Sequence, residues 1–250
     1  MITIAKQVNN KWLAFYRPKP LARISLFCFP YAGSGPVVFQ SWAQRLPETI
    51  DVLPVQLPGR GSRLAEPRFT NIRPLVEAVA EGLRPHFVRP FAFFGHSMGA
   101  LVSFELARLL RRNGQAQPTH LFVSGCNAPQ LPLTRRPIYN LPADEFLEEL
   151  RGMNGTAPEV LEHSELMQLM LPIIRDDFTV CQTYSYSPEP PFEHPISAFG
   201  GLEDPDVTQA GISAWREQTS SKFSMEMIVG DHFFIHSALP RVLRTIAATL

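Results

Sequence analysis

A serine flanked by glycines, Gly95-His96-Ser97-Met98-Gly99, has the residue types of an activated nucleophile. A serine hydroxyl attacks poorly until a base removes its proton, so it must stand clear of the backbone where a histidine can reach it. A sharp turn does this by forcing unusual dihedrals on the serine, and small flanking residues let neighbouring backbone come close. The pentapeptide is informative only between a strand and a helix. Phe91–Phe94 before it reads as a buried strand, and Ala100–Leu110 after it has a strongly apolar helical pattern. That helix would aim its first N–H groups and its positive end at the site, which suits a developing oxyanion.

The nucleophile needs a base, and the base needs an orienting acid. Where a strand–turn–helix carries the serine, the chain order is Ser, then Asp or Glu, then His, each just past a strand. Seven histidines are available. His96 sits inside the turn and points elsewhere. His86, His163 and His236 lie in or beside helical patterns, His120 opens a strand upstream of any acid loop, and His194 precedes a strand. His232 alone follows a late strand, Met225–Val229, after an acid-bearing loop. Glu203, Asp204, Asp206 and Asp231 compete for the acid. Asp231 adjoins the histidine and is badly placed to reach its ring. Asp204, in Gly201-Leu202-Glu203-Asp204-Pro205-Asp206-Val207, is preferred, with Asp206 the runner-up. A glycosidase-like carboxylate pair would leave the serine turn unexplained.

The elements that must position these groups are legible around them. Ile24–Phe29, Val52–Leu57, Leu121–Gly125 and Pro195–Gly201 read as further strands. Phe39–Leu46, Ile72–Phe87, Val207–Trp215 and Leu239–Leu250 read as helices, and Asn113-Gly114 as a helix end. Strands alternating with helices predict an α/β fold with a mostly parallel central sheet. A glycine-bearing loop, Pro30-Tyr31-Ala32-Gly33-Ser34-Gly35, follows the first strand, where this architecture supplies a second oxyanion donor. No Gly-Lys-Ser/Thr follows it, so a phosphate loop is poorly supported. The alternation stops from Pro129 to about Pro195. Pro142–Leu150 reads as a capped helix with an acidic first turn, and Leu161–Tyr184 as one or two helices interrupted by Pro172. A helical insertion over roughly 130–192, within one domain spanning 1–250, is a natural lid.

Composition narrows the class. The 250 residues suit one sizeable α/β core, with 45% hydrophobic residues and a formal net charge of +0. There is no electrostatic case for nucleic acid or an anionic membrane. Cys28, Cys126 and Cys181 lie far apart in apolar surroundings, without metal or redox spacing. Free thiols favour a reducing, cytoplasmic compartment. Met1–Pro20 has no apolar signal region, and no run is long enough to span a bilayer. Neither a metal nor a cofactor is expected.

Several segments together resemble the type II thioesterases, stand-alone α/β-hydrolase enzymes that accompany polyketide synthases and non-ribosomal peptide synthetases. Phe29-Pro30-Tyr31-Ala32-Gly33 is similar to that family's Phe-Pro-His/Tyr-Ala-Gly-Gly loop, with Ser34 in place of the second glycine. Gln56-Leu57-Pro58-Gly59-Arg60, the serine turn, Gly201–Val207 and Gly230-Asp231-His232-Phe233-Phe234 also match. The resemblance implies hydrolysis of acyl thioesters on the phosphopantetheine arm of acyl or peptidyl carrier proteins. By position it implies Ser97 as nucleophile, His232 as base, Asp204 as its partner, and the N–H groups of Met98 and Ala32 as oxyanion donors. A long, thin arm would reach Ser97 while the carrier stays outside. Phe146, Leu150, Met167, Met170 and Phe178 of the insertion would then line or support the acyl pocket. A lipase, esterase or acyltransferase of the same fold remains open, since fold does not fix substrate. So does a non-catalytic module that binds acyl carriers.

Overall fold

The computed structural model describes residues 10–133, 135–153 and 163–250. Six strands form one sheet: β1 (Ile24–Phe29), β2 (Ile50–Pro54), β3 (Phe91–His96), β4 (His120–Ser124), β5 (Ile196–Gly201) and β6 (Phe223–Ile228). Their order is β2-β1-β3-β4-β5-β6, and every neighbouring pair is parallel. A parallel sheet must be covered on both faces, so its central strands are apolar on both. Alternation along each strand divides the side chains between two cores. Phe27, Phe29, Phe91 and Phe93 enter one core with Phe104 and Trp215. Leu26, Cys28, Ala92 and Phe94 enter the other with Trp42, Phe122 and Phe234. Each buried phenylalanine contributes about 1.5–3 kcal/mol relative to exposure.

Helices α2 (Ile72–Leu83) and α3 (Met98–Arg112) bring apolar residues to the first core. On the opposite face lie α1 (Trp42–Arg45), α7 (Phe234–Ser237) and α8 (Leu239–Thr249). Between β4 and β5 the described residues form α4 (Ala143–Arg151) and α5 (Ser164–Gln182). Phe146 and Leu150 of α4, Ile174 of α5 and Ile138 from the segment before α4 make a third, smaller cluster. The short α6 (Gln209–Ser213) follows β5, with Thr208 accepting the Gly211 N–H as its cap.

Several boundaries differ from the sequence reading. The helix expected over Phe39–Leu46 is a 3-10 turn, Pro36–Phe39, followed by the single turn of α1. β2 ends at Pro54 rather than Leu57, and Val55 makes an isolated antiparallel bridge to Leu13 while its N–H still donates to the Cys28 carbonyl of β1 at 2.9 Å. α2 stops at Leu83 because Pro85 ahead cannot continue its ladder, and a 3-10 turn completes the stretch. The helix expected over Val207–Trp215 shortens to α6 plus a 3-10 turn, Ala214–Gln218. α4 has its acidic first turn, but Pro142 offers it no side-chain cap. α5 runs unbroken through Pro172. Its buried Met167, Ile173, Ile174, Asp177 and Val180 hold it on both sides of the lost N–H. The expected start at Leu161 lies outside the described residues.

Candidate active site

Ser97 occupies the turn between β3 and α3 with φ 53° and ψ −117°. A side-chain-bearing residue holds such dihedrals only when its surroundings force it to. Here the surroundings are backbone. A Cβ on Gly95 would sit 2.1 Å from the Gly99 carbonyl oxygen, and one on Gly99 would sit 2.1 Å from that of Phe29. The Ser97 N–H donates to the Ser124 carbonyl at 2.7 Å, which ties the turn to β4. Met98 begins the 15-residue α3. Its N–H therefore has no acceptor within the helix.

His232 follows β6 and Asp204 follows β5. The histidine Nδ1 and the Asp204 Oδ2 lie 2.6 Å apart. The other carboxylate oxygen accepts the N–H groups of Asp206 at 2.9 Å and Val207 at 3.2 Å. The carboxylate is thus held from both sides, and its side chain is fully buried. Because all six strands run the same way, the loops after β1, β3, β5 and β6 emerge at one edge of the sheet. Ala32, Ser97, Asp204 and His232 each come from one of these loops. In open parallel sheets that edge is where ligands bind.

Two of the three competing acids have other partners. Asp206 pairs with Arg135, and the Asp231 carboxylate accepts the Phe233 N–H of its own turn at 2.8 Å. The other histidines are also placed elsewhere. His86 meets the Asn10 side chain, His163 caps α5, His236 meets the Tyr31 hydroxyl, and His120 meets Ser197. His194 stacks on Phe192. His96 is fully buried, with Nδ1 2.9 Å from the Ser124 hydroxyl and its ring centroid 5.2 Å from that of His232. Burial, reinforced by the neighbouring His232, holds its pKa well below the ordinary histidine range. A neutral ring beneath His232 adds no competing charge there.

A cavity of about 870 Å³ opens over this edge, lined by Ala32, Ser97, Met98 and His232. Leu150, Met170 and Phe178 line it too, so three of the five proposed wall residues reach it. Phe146 packs behind them, against Phe178 at 5.8 Å and under the Arg175 guanidinium. Met167 is buried but does not reach the cavity wall. The sequence reading missed Ile138, Met153 and Ile174 as wall residues. Ile174 was findable, because Met170, Ile174 and Phe178 repeat every four residues on one helix face. Cys126 and Cys181 also line the cavity. Burial raises both thiols, Cys126 to about 12, so neither offers a thiolate to rival the serine.

Among the described residues no cluster of three or more metal-ligating side chains occurs. None of the described helices is long and apolar enough to cross a membrane.

A family of thioesterase domains matches residues 24–250. The gramicidin S biosynthesis protein GrsT of Aneurinibacillus migulanus is 48% identical over 95% of this chain and 92% of its own. The RedJ thioesterase of the prodiginine pathway in Streptomyces coelicolor is 38% identical with a TM-score of 0.87, over 93% of this chain and 88% of RedJ. The type II thioesterase BorB of the borrelidin cluster is 37% identical with a TM-score of 0.86, over 95% and 96% of the two chains.

Proposed function

This chain belongs to the thioesterase family, among the type II thioesterases of polyketide and non-ribosomal peptide pathways, and from that premise we propose that it hydrolyses acyl thioesters carried on the phosphopantetheine arm of carrier proteins, through a Ser97–His232–Asp204 triad. The observation that carries the triad is the 2.6 Å contact between Asp204 and His232, made by a buried carboxylate at the sheet edge that also bears Ser97. Bonding at Nδ1 leaves the histidine Nε2 to serve as the base.

In this reading the Ser97 Oγ attacks the thioester carbonyl carbon while His232 Nε2 takes its proton. The charge that forms on the carbonyl oxygen is met by the N–H groups of Met98 and Ala32. The C–S bond then breaks, and the departing sulfur takes the proton from His232. Water, deprotonated by the same histidine, attacks the acyl-serine; the acyl–Oγ bond breaks, Ser97 Oγ takes the proton back from His232, and a carboxylic acid leaves. The arm arrives on the partner, so the enzyme itself needs no cofactor. The helices between β4 and β5 act as the lid over the acyl end. The setting is the cytoplasm, with acyl or peptidyl carrier domains as partners.

A panel of acyl groups loaded on carrier proteins, compared with simple esters and scored by kcat/KM, tests the substrate class. Preference for the carrier-bound thioester supports it. Faster turnover of simple esters would reassign the enzyme as an esterase. Absence of turnover, together with unlabelled Ser97 after treatment with a fluorophosphonate, would leave only a binding module.

A further inference from the structure

The loop carrying Ala32 is pinned from outside the triad. Asp177, on α5, directs its Oδ2 at the Gly33 N–H, 2.7 Å away. The same oxygen accepts from Arg60 Nη1 at 2.7 Å, and Oδ1 accepts from Arg60 Nη2 at 2.7 Å. Arg60 Nη1 also donates to the Ser34 carbonyl at 2.9 Å. The Ser34 N–H donates to the Tyr31 carbonyl at 3.1 Å and closes the turn. Both charged side chains are at least nine-tenths buried. One helical turn before Asp177, Ile174 presses on the same loop: a Cβ on Gly33, whose φ is +74°, would lie 2.7 Å from Ile174 Cγ1.

These contacts use the Gly33 N–H, the Ser34 N–H and two carbonyls. None of the described hydrogen bonds uses the Ala32 N–H, although Ala32 lines the cavity beside Ser97. The turn is therefore held on its lid side while one N–H is left for the cavity. Arg60 belongs to the Gln56–Arg60 segment, for which the triad has no use.

We propose that Asp177 and Arg60 are positioning residues for the oxyanion hole: through Gly33 and Ser34 they fix the peptide that presents the Ala32 N–H, so that this donor is in place only while α5 is seated. The proposal rests on the reading of Ser97 as nucleophile and of Ala32 as an oxyanion donor. A donor aimed at charge that exists only in the transition state affects kcat, not ground-state binding. A guanidinium fork gripping a carboxylate at both oxygens is also not replaceable by lysine.

Asp177→Asn and Arg60→Lys test this. Each should lower kcat by about 10²–10³-fold, the range seen when one oxyanion donor is lost, with KM changed less than about threefold. Affinity for an acyl trifluoromethyl ketone, which forms a tetrahedral adduct with the serine, should fall in parallel with kcat/KM. Affinity for a non-hydrolysable acyl-pantetheine thioether should hold. The double variant should cost no more than the worse single variant, because both act through one turn. Arg68→Gln is the control. It breaks the neighbouring Arg68–Asp176 ion pair of α5, made at 2.5 Å, and should leave kcat within about threefold. If Asp177→Asn does not fold, Arg60→Lys decides by the same two ligands. Folded variants with unchanged kcat, or with both ligands weakened equally, would overturn the proposal. Failure of the wild type to label at Ser97 would instead overturn the underlying triad reading.

Discussion

His232 and Asp204 meet at 2.6 Å from loops that follow two neighbouring strands, β5 and β6, which pair in parallel up to Gly201 and Ile228. The pair is set by strand register, and the acid is fixed further by two backbone N–H groups on its other oxygen. Asp204→Asn should therefore keep the shape of the site and lose its acceptor. On the serine-protease precedent kcat falls about 10⁴-fold. Asp206→Asn removes the Arg135 partner instead and should stay within about tenfold of wild type. Steady-state kinetics of the two variants rank the acids, and the reverse order would transfer the role to Asp206.

Ser97 separates function from stability. Ser97→Ala should lose activity by several orders of magnitude while folding normally, leaving the residual contribution of the oxyanion hole and binding. Ser97→Gly should be equally inactive and more stable than Ser97→Ala, since glycine adopts the φ of 53° without strain. Thermal unfolding of the two inactive variants checks this. Equal midpoints would mean that the turn stores no strain at Ser97.

The flanking glycines should tolerate no side chain. The atoms that a Cβ would meet at Gly95 and Gly99 are backbone, which cannot rotate away as a side chain would. Gly95→Ala and Gly99→Ala should each cost more than about 3 kcal/mol, or prevent folding. Gly114→Ala makes a contrast, because a Cβ there meets nothing within 4 Å and only its φ of +62° is penalised. It should cost about 1–2 kcal/mol in denaturant titrations.

Acid should weaken the fold through buried histidines distant from chemistry. Burial lowers His120 and His194 to about 4. Their folded pKa values are depressed, so the unfolded chain binds more protons as pH falls below about 6.5. Stability is fully present above that value and drains away down to about 4. His120→Gln should flatten the slope of unfolding free energy over this window. An unchanged slope would show that His120 takes up its proton equally in both states.

Legibility tracked how local the interactions are. The strands of the centre were readable because both faces of β1 and β3 are buried, which writes continuous apolar runs such as Phe91–Phe94. The serine turn was readable because its parts are consecutive. Asp204 and His232 needed the chain-order argument, since 28 residues separate them and other acids crowd the loop. The Arg60–Asp177 pair was invisible. Its members lie 117 residues apart, and isolated charges in a loop and on a helix read as solvated surface. Pro172 misled in the opposite sense, because propensity marks a break where packing sustains the helix.

Met170 should set acyl-chain preference. It precedes the wall residues Ile174 and Phe178 by one and two turns of α5, half-buried and lining the cavity that also holds Ser97. A true wall residue shapes the pocket from its surface, whereas a core residue acts through stability. Met170→Ala would open space at the acyl end without touching Asp204, His232 or the serine turn. Acyl chains longer by a methylene or two should gain relative to short ones, by about 1–3 kcal/mol per methylene accommodated. Its effect on unfolding should be smaller than the roughly 3–5 kcal/mol expected for Phe93→Ala, whose ring is fully buried in the first core from the central strand β3. Met167→Ala supplies the comparison within the same helix: buried but off the cavity, it should lower stability and leave the chain-length profile where it was. Chain-length profiles on carrier-bound substrates, measured beside thermal unfolding, separate the two behaviours. If Met170→Ala and Met167→Ala alter the profile equally, or neither does, the acyl group does not lie along α5.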